Sequence, residues 1–221
     1  MNSASTREAA LDLDADRRQA LSLTPVSRET QTRLEKFVAL LLAWQRHTNL
    51  IADSTIATLW TRHIADSLQL IALAPEARVW ADLGSGAGFP GLAIACVLAD
   101  QPGSEVHLVE SNGKKAAFLR EAVLLTGAPA KIHHMRIENF GESFGKRADI
   151  VTARAVAPLK VLLDQAFPLM NKGTRALFPK GQDVEAELTF ATKYWNIEAN
   201  LVPSRTSLDG RIVVVRRLER R

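Results

Sequence analysis

The chain has 221 residues, 47% hydrophobic and 24% charged, which is the balance of a folded globular protein and excludes a disordered or fibrous one. That length suffices for one sizeable core and falls short of two ordinary domains with independent cores. A net charge of +4 and a pI near 9.5 tilt the surface toward polyanions, a tilt that solubility alone also explains.

Met1 to Asp16 mixes acids and one arginine with alanine and lacks the apolar centre of a leader peptide, and no later stretch reaches about 18 uninterrupted apolar residues. Cys96 is the sole cysteine and lies in an apolar run, so neither a disulfide framework nor a cysteine zinc site forms within the chain. The expectation is a soluble cytoplasmic protein in a reducing compartment, with no membrane and no metal.

From Ala4 to Ala74 the pattern is helical. Ser27 is placed to cap a helix whose Leu34, Phe37, Val38, Leu41 and Leu42 recur at helical spacing. A loop over Asn49–Ser54 leads to further helical sequence carrying Leu59, Trp60, Ile64, Leu68 and Ile71. No Pro/Gly/Ser linker follows, so residues 1–74 read as a helical extension packed on a main domain spanning 75–221.

After Pro75, strand and helix alternate, which implies right-handed crossovers and a largely parallel sheet. Expected strands are Arg78–Asp82, Glu105–Val109, Ala130–His134, Ile150–Ala153 and Arg175–Pro179, with helices over Pro90–Ala99, Lys114–Leu125 and Leu159–Met170. Gly127 is placed to stop the second of these helices. Trp195–Val202 and Arg211–Val215 flank a long turn, Ser204 to Gly210, and predict an antiparallel hairpin at one sheet edge. Such a hairpin closing a parallel sheet is usual in S-adenosylmethionine (AdoMet) methyltransferases and unusual in dinucleotide oxidoreductases, an analogy at the level of fold.

The most informative segment runs from Ala81 to Gly91: strand end, glycine loop and helix start, the device by which an α/β sheet makes a nucleotide pocket. It has two registers. Gly86-x-Gly88-x-x-Gly91 is the dinucleotide fingerprint, whereas Asp82-x-Gly84-x-Gly86-x-Gly88 is an acidic AdoMet loop. A pyrophosphate sits on N–H groups at the helix start, where the Asp82 carboxylate repels it. AdoMet has no phosphate, and its ammonium and sulfonium are attracted to that acid. Phe89 is expected to line the pocket, and Pro90 suits the first helical turn.

Glu110 ends the second strand, where an acid accepts hydrogen bonds from ribose hydroxyls in either cofactor class. Ile137-Glu138 follows the third strand and is either a helix start or an adenine-flanking pair. His133 and His134 alternate faces and cannot chelate one metal; His107 and the tryptophans Trp44, Trp60 and Trp80 read as core. Arg154 is either a holder of cofactor or base or one half of an ion pair, and the same two readings apply to Lys180 at the end of the fifth strand. Arg62, His63 and Asp66 lie on adjacent turns and either contact RNA or anchor the extension. Basic residues such as Arg46, Lys114, Lys115, Arg205 and Arg211 are scattered, and only the fold can gather them on one face.

Several pieces together, Asn49-Leu50, Arg62-His63-x-x-Asp66-Ser67, the loop Asp82 to Gly91, Gly113-Lys114-Lys115, Ala153-Arg154-Ala155, Lys180-Gly181 and Asp209-Gly210, carry a resemblance over Leu34 to Val215. The chain resembles the RsmG (GidB) family of bacterial methyltransferases, which modify a guanine at N7 in 16S ribosomal RNA. The resemblance implies a Rossmann-like class I AdoMet-dependent methyltransferase fold with a mostly parallel seven-stranded sheet. It implies a cofactor site of Asp82, Gly84, Gly86, Gly88, Phe89, Glu110, Ile137, Glu138 and Arg154, with Arg154 and Lys180 positioning the reactants. The implied target is the guanine at position 527 in the 530 loop of 16S ribosomal RNA, either as RNA or within a small-subunit assembly intermediate, met by a monomer. Three positions depart from the family pattern: Glu110 where Asp is frequent, Ala153 for Ser, and Gln45 for Asn. Glu110 keeps the carboxylate one methylene longer, and the other two leave a side-chain hydrogen bond open. Two readings compete with the methyltransferase: a nicotinamide-dependent oxidoreductase, and a ribosome-associated binding protein without turnover.

Overall fold

A computed structural model describes residues 3–170 and 173–221, with side chains from residue 13 onward; Met1 and Asn2, at the start of the stretch read for a leader, lie outside the described residues. The chain opens with helices α1 (Ser3–Leu23) and α2 (Arg28–Gln45). Ser27 caps α2, its Oγ accepting the Thr30 N–H at 3.1 Å, and the stripe Leu34, Phe37, Val38 and Leu41 is buried. Trp60–Ala65 forms a wider, π-helical turn that runs into the short α3 (Asp66–Leu68). Uniform helical spacing does not foretell that turn. It is set from outside, because Asp16 on α1 accepts the Trp60 N–H at 2.7 Å and the Thr61 N–H at 3.2 Å.

Seven strands follow: β1 (Val79–Leu83), β2 (Glu105–Val109), β3 (Ala130–His133), β4 (Ile150–Thr152), β5 (Arg175–Lys180), β6 (Trp195–Pro203) and β7 (Arg211–Arg220). Their spatial order is β3-β2-β1-β4-β5-β7-β6. The first five are parallel, and β7 is antiparallel to both β5 and β6. The hairpin thus closes one edge, with β7 inserted and β6 outermost. Between them run α4 (Gly91–Leu98), α5 (Gly113–Thr126), α6 (Ile137–Ser143), α7 (Leu159–Met170) and α8 (Val184–Ala191). Gly127 ends α5 in the left-handed conformation at φ 64°. The short α6 and α8 have too few turns for a periodic signal.

Side chains alternate across the sheet, and each face has its own core. Trp80 faces a cluster with Phe37, Leu92 and Phe118, so the N-terminal helices share that core with α4 and α5. Ala81 and Leu83 face Phe140, Leu163, Phe178 and Trp195 under α6, α7 and α8. The order of the strands reverses between β1 and β4, and a crevice opens beyond the carboxyl ends of the strands at such a point. Among the described residues, no helix is long and apolar enough to cross a membrane, and no group of His, Cys, Asp and Glu is arranged to hold a metal.

Candidate active site

The crevice is a cleft of about 1070 Å³ at the carboxyl ends of β1, β2, β4 and β5. Its floor is the loop between β1 and α4. Gly84 has φ 71°, and a Cβ there would lie 2.7 Å from Val156 Cγ2, so the loop after β4 presses on the loop after β1. Gly91 belongs to packing, since its Cβ would sit 2.6 Å from Asp82 Cβ and 2.5 Å from Leu108 Cδ2.

Four amides of the loop and the helix start are spent inside the protein. Ser85 N–H donates to the Val109 carbonyl at 2.9 Å, Gly86 N–H to Glu110 Oε2 at 2.9 Å, and Gly88 N–H to the Ser85 carbonyl at 2.7 Å. Gly91 N–H, at the start of α4, donates to Asp82 Oδ2 at 3.1 Å. Asp82 is fully buried, and its Oδ1 has no hydrogen-bond partner. Burial pushes its carboxyl up to about 7, outweighing the hydrogen bonds around it and the nearby Arg154 charge.

Glu110 is buried at the end of β2. It accepts Gly86 N–H with one oxygen and Asn112 N–H, at 2.6 Å, with the other. A carboxylate offers about four lone-pair sites, so two remain for donors in the cleft. Across the cleft, Glu138 at the start of α6 accepts from Gln165 Nε2 at 2.9 Å, which together with its own backbone amide holds its carboxyl below the usual range.

Arg154, just past β4, knots four segments together. Its Nη1 donates to Asp66 Oδ2 at 3.2 Å and to the Arg62 carbonyl at 3.0 Å, and its Nη2 lies 2.7 Å from His63 Nδ1. A guanidinium has only donors, so Nδ1 accepts and the imidazole proton resides on Nε2, which donates to Thr55 Oγ1 at 2.8 Å. Burial and the flanking arginines push the His63 imidazole down to about 3, so it stays neutral. The His63 ring stacks on Phe89 at 5.0 Å and 21°, and the Arg154 guanidinium lies 5.3 Å from the Phe89 ring centre. Asp66 Oδ1 in turn accepts Thr206 Oγ1 at 2.8 Å and Gln69 Nε2 at 2.9 Å, which ties the β6–β7 turn to the N-terminal segment.

Gly84, Gly86, Phe89, Glu110, Ile137, Glu138, Arg154 and Lys180 all line this one cleft. Asp82 and Gly88 do not: Asp82 sits beneath the loop with its carboxylate turned to the first amide of α4. Lys180 reaches the wall already paired, 2.7 Å from Glu187 and 3.2 Å from the Ala157 carbonyl. His63 and Asp66 are buried on Arg154 and, with the exposed Arg62, also line the cleft. Gln45, the departure from Asn, makes four bonds that fold the loop after α2, donating to the Ile51 carbonyl and Asp53 and accepting from the Leu50 and Ile51 amides. His107 and His133 pair at 2.9 Å outside the cleft, against Phe140 and Phe144.

The cleft also takes in Ala155, whose φ of 55° is rare for a residue with a side chain, and Arg136, Lys115, Ser207 and Asp209. Lys115, Arg136 and the Ser207–Asp209 turn are separated in sequence by whole elements, and only the fold brings them together. Ala155 had a signal in the Ala153-Arg154-Ala155 run, but nothing in that run marks its left-handed backbone.

A family profile described as rRNA small subunit methyltransferase G matches residues 30–212. A protein of Nitrobacter hamburgensis named ribosomal RNA small subunit methyltransferase G is 62% identical over 207 residues, covering 94% of this chain and 80% of its own length. One of the same name from a Bradyrhizobium species is 57% identical over 221 residues, the full length of both. Among solved structures, an O-methyltransferase from Bacillus cereus in complex with SAH superposes with a TM-score of 0.60 at 13% identity, over 92% of this chain and 97% of its own. A protein of Klebsiella pneumoniae does so with a TM-score of 0.56 at 15% identity, over 94% of this chain and 98% of its own.

Proposed function

The chain belongs to the rRNA small subunit methyltransferase G family and is an AdoMet-dependent ribosomal RNA methyltransferase; from that premise we propose that it methylates N7 of the guanine at position 527 in the 530 loop of 16S ribosomal RNA. The observation that carries the cofactor assignment is the use of the glycine-loop amides. A pyrophosphate needs free N–H groups at the helix start. Here Gly86 N–H is given to Glu110, Gly91 N–H to Asp82, and Pro90 between them has none. Asp82 occupies the first amide of α4, the group a pyrophosphate would need, so the nicotinamide reading is not favoured.

The same residues fit AdoMet. Glu110, held rigid by two amides, has lone pairs left for the ribose hydroxyls. Ile137 offers an apolar face and Glu138 a polar edge for the adenine. Gly84, Gly86 and Phe89 form the floor on which the methionine end rests, and Arg154 with Phe89 fixes the wall beside it. Asp82 and Gly88 serve from beneath, by setting the loop and the start of α4.

Bound AdoMet supplies an electrophilic methyl group on a positively charged sulfur. Guanine N7 is a major-groove acceptor with a free lone pair, so no proton must leave before transfer and the chain needs no general base. The work of these residues is alignment. Holding N7 in line with the methyl–sulfur bond is worth about 7–11 kcal/mol in well-oriented systems. Lys180, neutralised by Glu187, positions the wall after β5 without opposing the cationic product.

The substrate is 16S ribosomal RNA, as RNA or within a small-subunit assembly intermediate, and the cytoplasm is the place of action, since ribosomal RNA is made and packed there; a monomer with residues 1–74 and 75–221 as one structural unit completes the reading. Equilibrium binding tests the cofactor assignment. AdoMet is expected to bind and NADH not to, and binding of NADH with exclusion of AdoMet contradicts the assignment. A protein that binds AdoMet and ribosomal RNA yet transfers no methyl group to any form of the RNA is instead the binding protein without turnover.

A further inference from the structure

The β6–β7 turn, Ser204 to Gly210, is unusual in being pinned from every side while presenting an apolar side chain to water. Arg205 N–H donates to Gln69 Oε1 at 2.8 Å, Thr206 Oγ1 to Asp66 Oδ1 at 2.8 Å, and Arg211 Nη1 to the carbonyls of Leu208 and Gly210 at 2.9 and 2.8 Å. Gly210 is buried, and a Cβ there would fall 2.9 Å from Ser204 Cβ. Leu208, by contrast, is 96% exposed, the most exposed large hydrophobic side chain among the described residues. A single exposed leucine is ordinary. This one is held by a fixed backbone between Ser207 and Asp209, which both line the cleft, and on the same network that seats Arg154 and Phe89.

A base whose N7 must meet a methyl group deep in a cleft has to leave its stack, and proteins that unstack bases commonly hold the gap open with a rigid apolar wedge. We propose that Leu208 is such a wedge: the Ser204–Gly210 turn carries it into the RNA loop beside the target guanine and keeps that guanine in the cleft. Arg205, exposed and with no side-chain partner among the described residues, stands beside it as a cation for RNA phosphates. This inference rests on the methyltransferase reading above and goes beyond it in naming the residue that positions the base.

The test is single-turnover methylation of small ribosomal subunits at saturating AdoMet by the wild type and by Leu208→Ala, Leu208→Asn and Leu208→Met, with AdoMet affinity and thermal midpoint measured for each. Leu208→Ala and Leu208→Asn are expected to slow methylation roughly tenfold or more, with Leu208→Met near the wild type, because a wedge acts by apolar bulk. AdoMet affinity and thermal midpoint should not move. Leu124→Ala, which removes an 85% exposed leucine on α5 away from the cleft, should keep the wild-type rate. In an RNA with 2-aminopurine next to the target guanine, the fluorescence rise on binding should be lost with Leu208→Ala. Wild-type rates for both Leu208→Ala and Leu208→Asn overturn the wedge and leave the methyltransferase standing, as does a loss that follows AdoMet affinity. A wild type that methylates no guanine N7 overturns the reading beneath it.

Discussion

At the scale of single residues, two carboxylates at neighbouring strand ends do different work because their surroundings differ. Glu110 accepts two amides and faces the cleft, so its carboxyl group is held in place and pre-aimed. Glu110→Gln turns one acceptor into a donor facing an amide; since hydrogen bonds to charged groups are worth about 1.5–3 kcal/mol, AdoMet binding should weaken by roughly ten- to a hundredfold, measured by calorimetry, and Glu110→Asp should recover most of it. Asp82 is buried with one oxygen unpaired and its carboxyl pushed up to about 7. The folded protein therefore holds this proton more tightly than the unfolded chain. Asp82 favours folding most at low pH, and that contribution is lost as pH rises from about 4 through about 7. Asp82→Asn removes the titration. Urea unfolding should show the variant gaining on the wild type between pH 5 and pH 8, and an unchanged difference between the two contradicts the placement of Asp82 beneath the loop.

At the scale of elements, the site is an agreement among four segments far apart in the chain: the π-helical turn, the glycine loop, the end of β4 and the β6–β7 turn. Asp66 joins the first to the last two. Removing one partner of a buried pair leaves the other charge uncompensated, at a cost of about 3–5 kcal/mol. Asp66→Ala should lower the thermal midpoint by several degrees, loosen the turn so that amide exchange at Arg205 and Thr206 speeds up, and weaken AdoMet binding through Arg154 and Phe89. Protection at those two amides equal to the wild type contradicts the linkage. The strands β1 to β5 and the glycine loop were legible because a run of apolar residues, a glycine cluster and a following helix are local patterns. The hairpin was legible for the same reason, though not the insertion of β7 next to β5. The partners of Arg154 were not legible. His63 and Asp66 read as an anchor or an RNA contact, with the anchor slightly favoured, and their partner Arg154 lies too far along the chain for the sequence to pair them. Asp82 had a correct strand end and a charge argument, but only the packing of Gly91 against it shows that the carboxylate turns under α4 rather than into the cleft.

For the whole molecule, the two cores on either side of the sheet hold neutral imidazoles whose protonation the fold resists: burial lowers His63 to about 3 and His107 to about 4. Both bind a proton more weakly in the fold than in the unfolded chain, so the unfolded state takes up more protons and stability is lost as pH falls through 6.5 toward those values. Denaturation midpoints should drop between pH 6.5 and pH 4, and replacing His107 with Asn should shallow that decline; an unaltered slope contradicts the assignment. The account as a whole stands on what the cleft does when both reactants are present. The direct measurement is transfer of a labelled methyl group from AdoMet to 16S ribosomal RNA, presented naked, as small subunits and as assembly intermediates, followed by mapping of the labelled nucleotide. Label on N7 of the guanine at position 527 is the predicted result, and label on any other nucleotide, or on none in any form of the RNA, contradicts it.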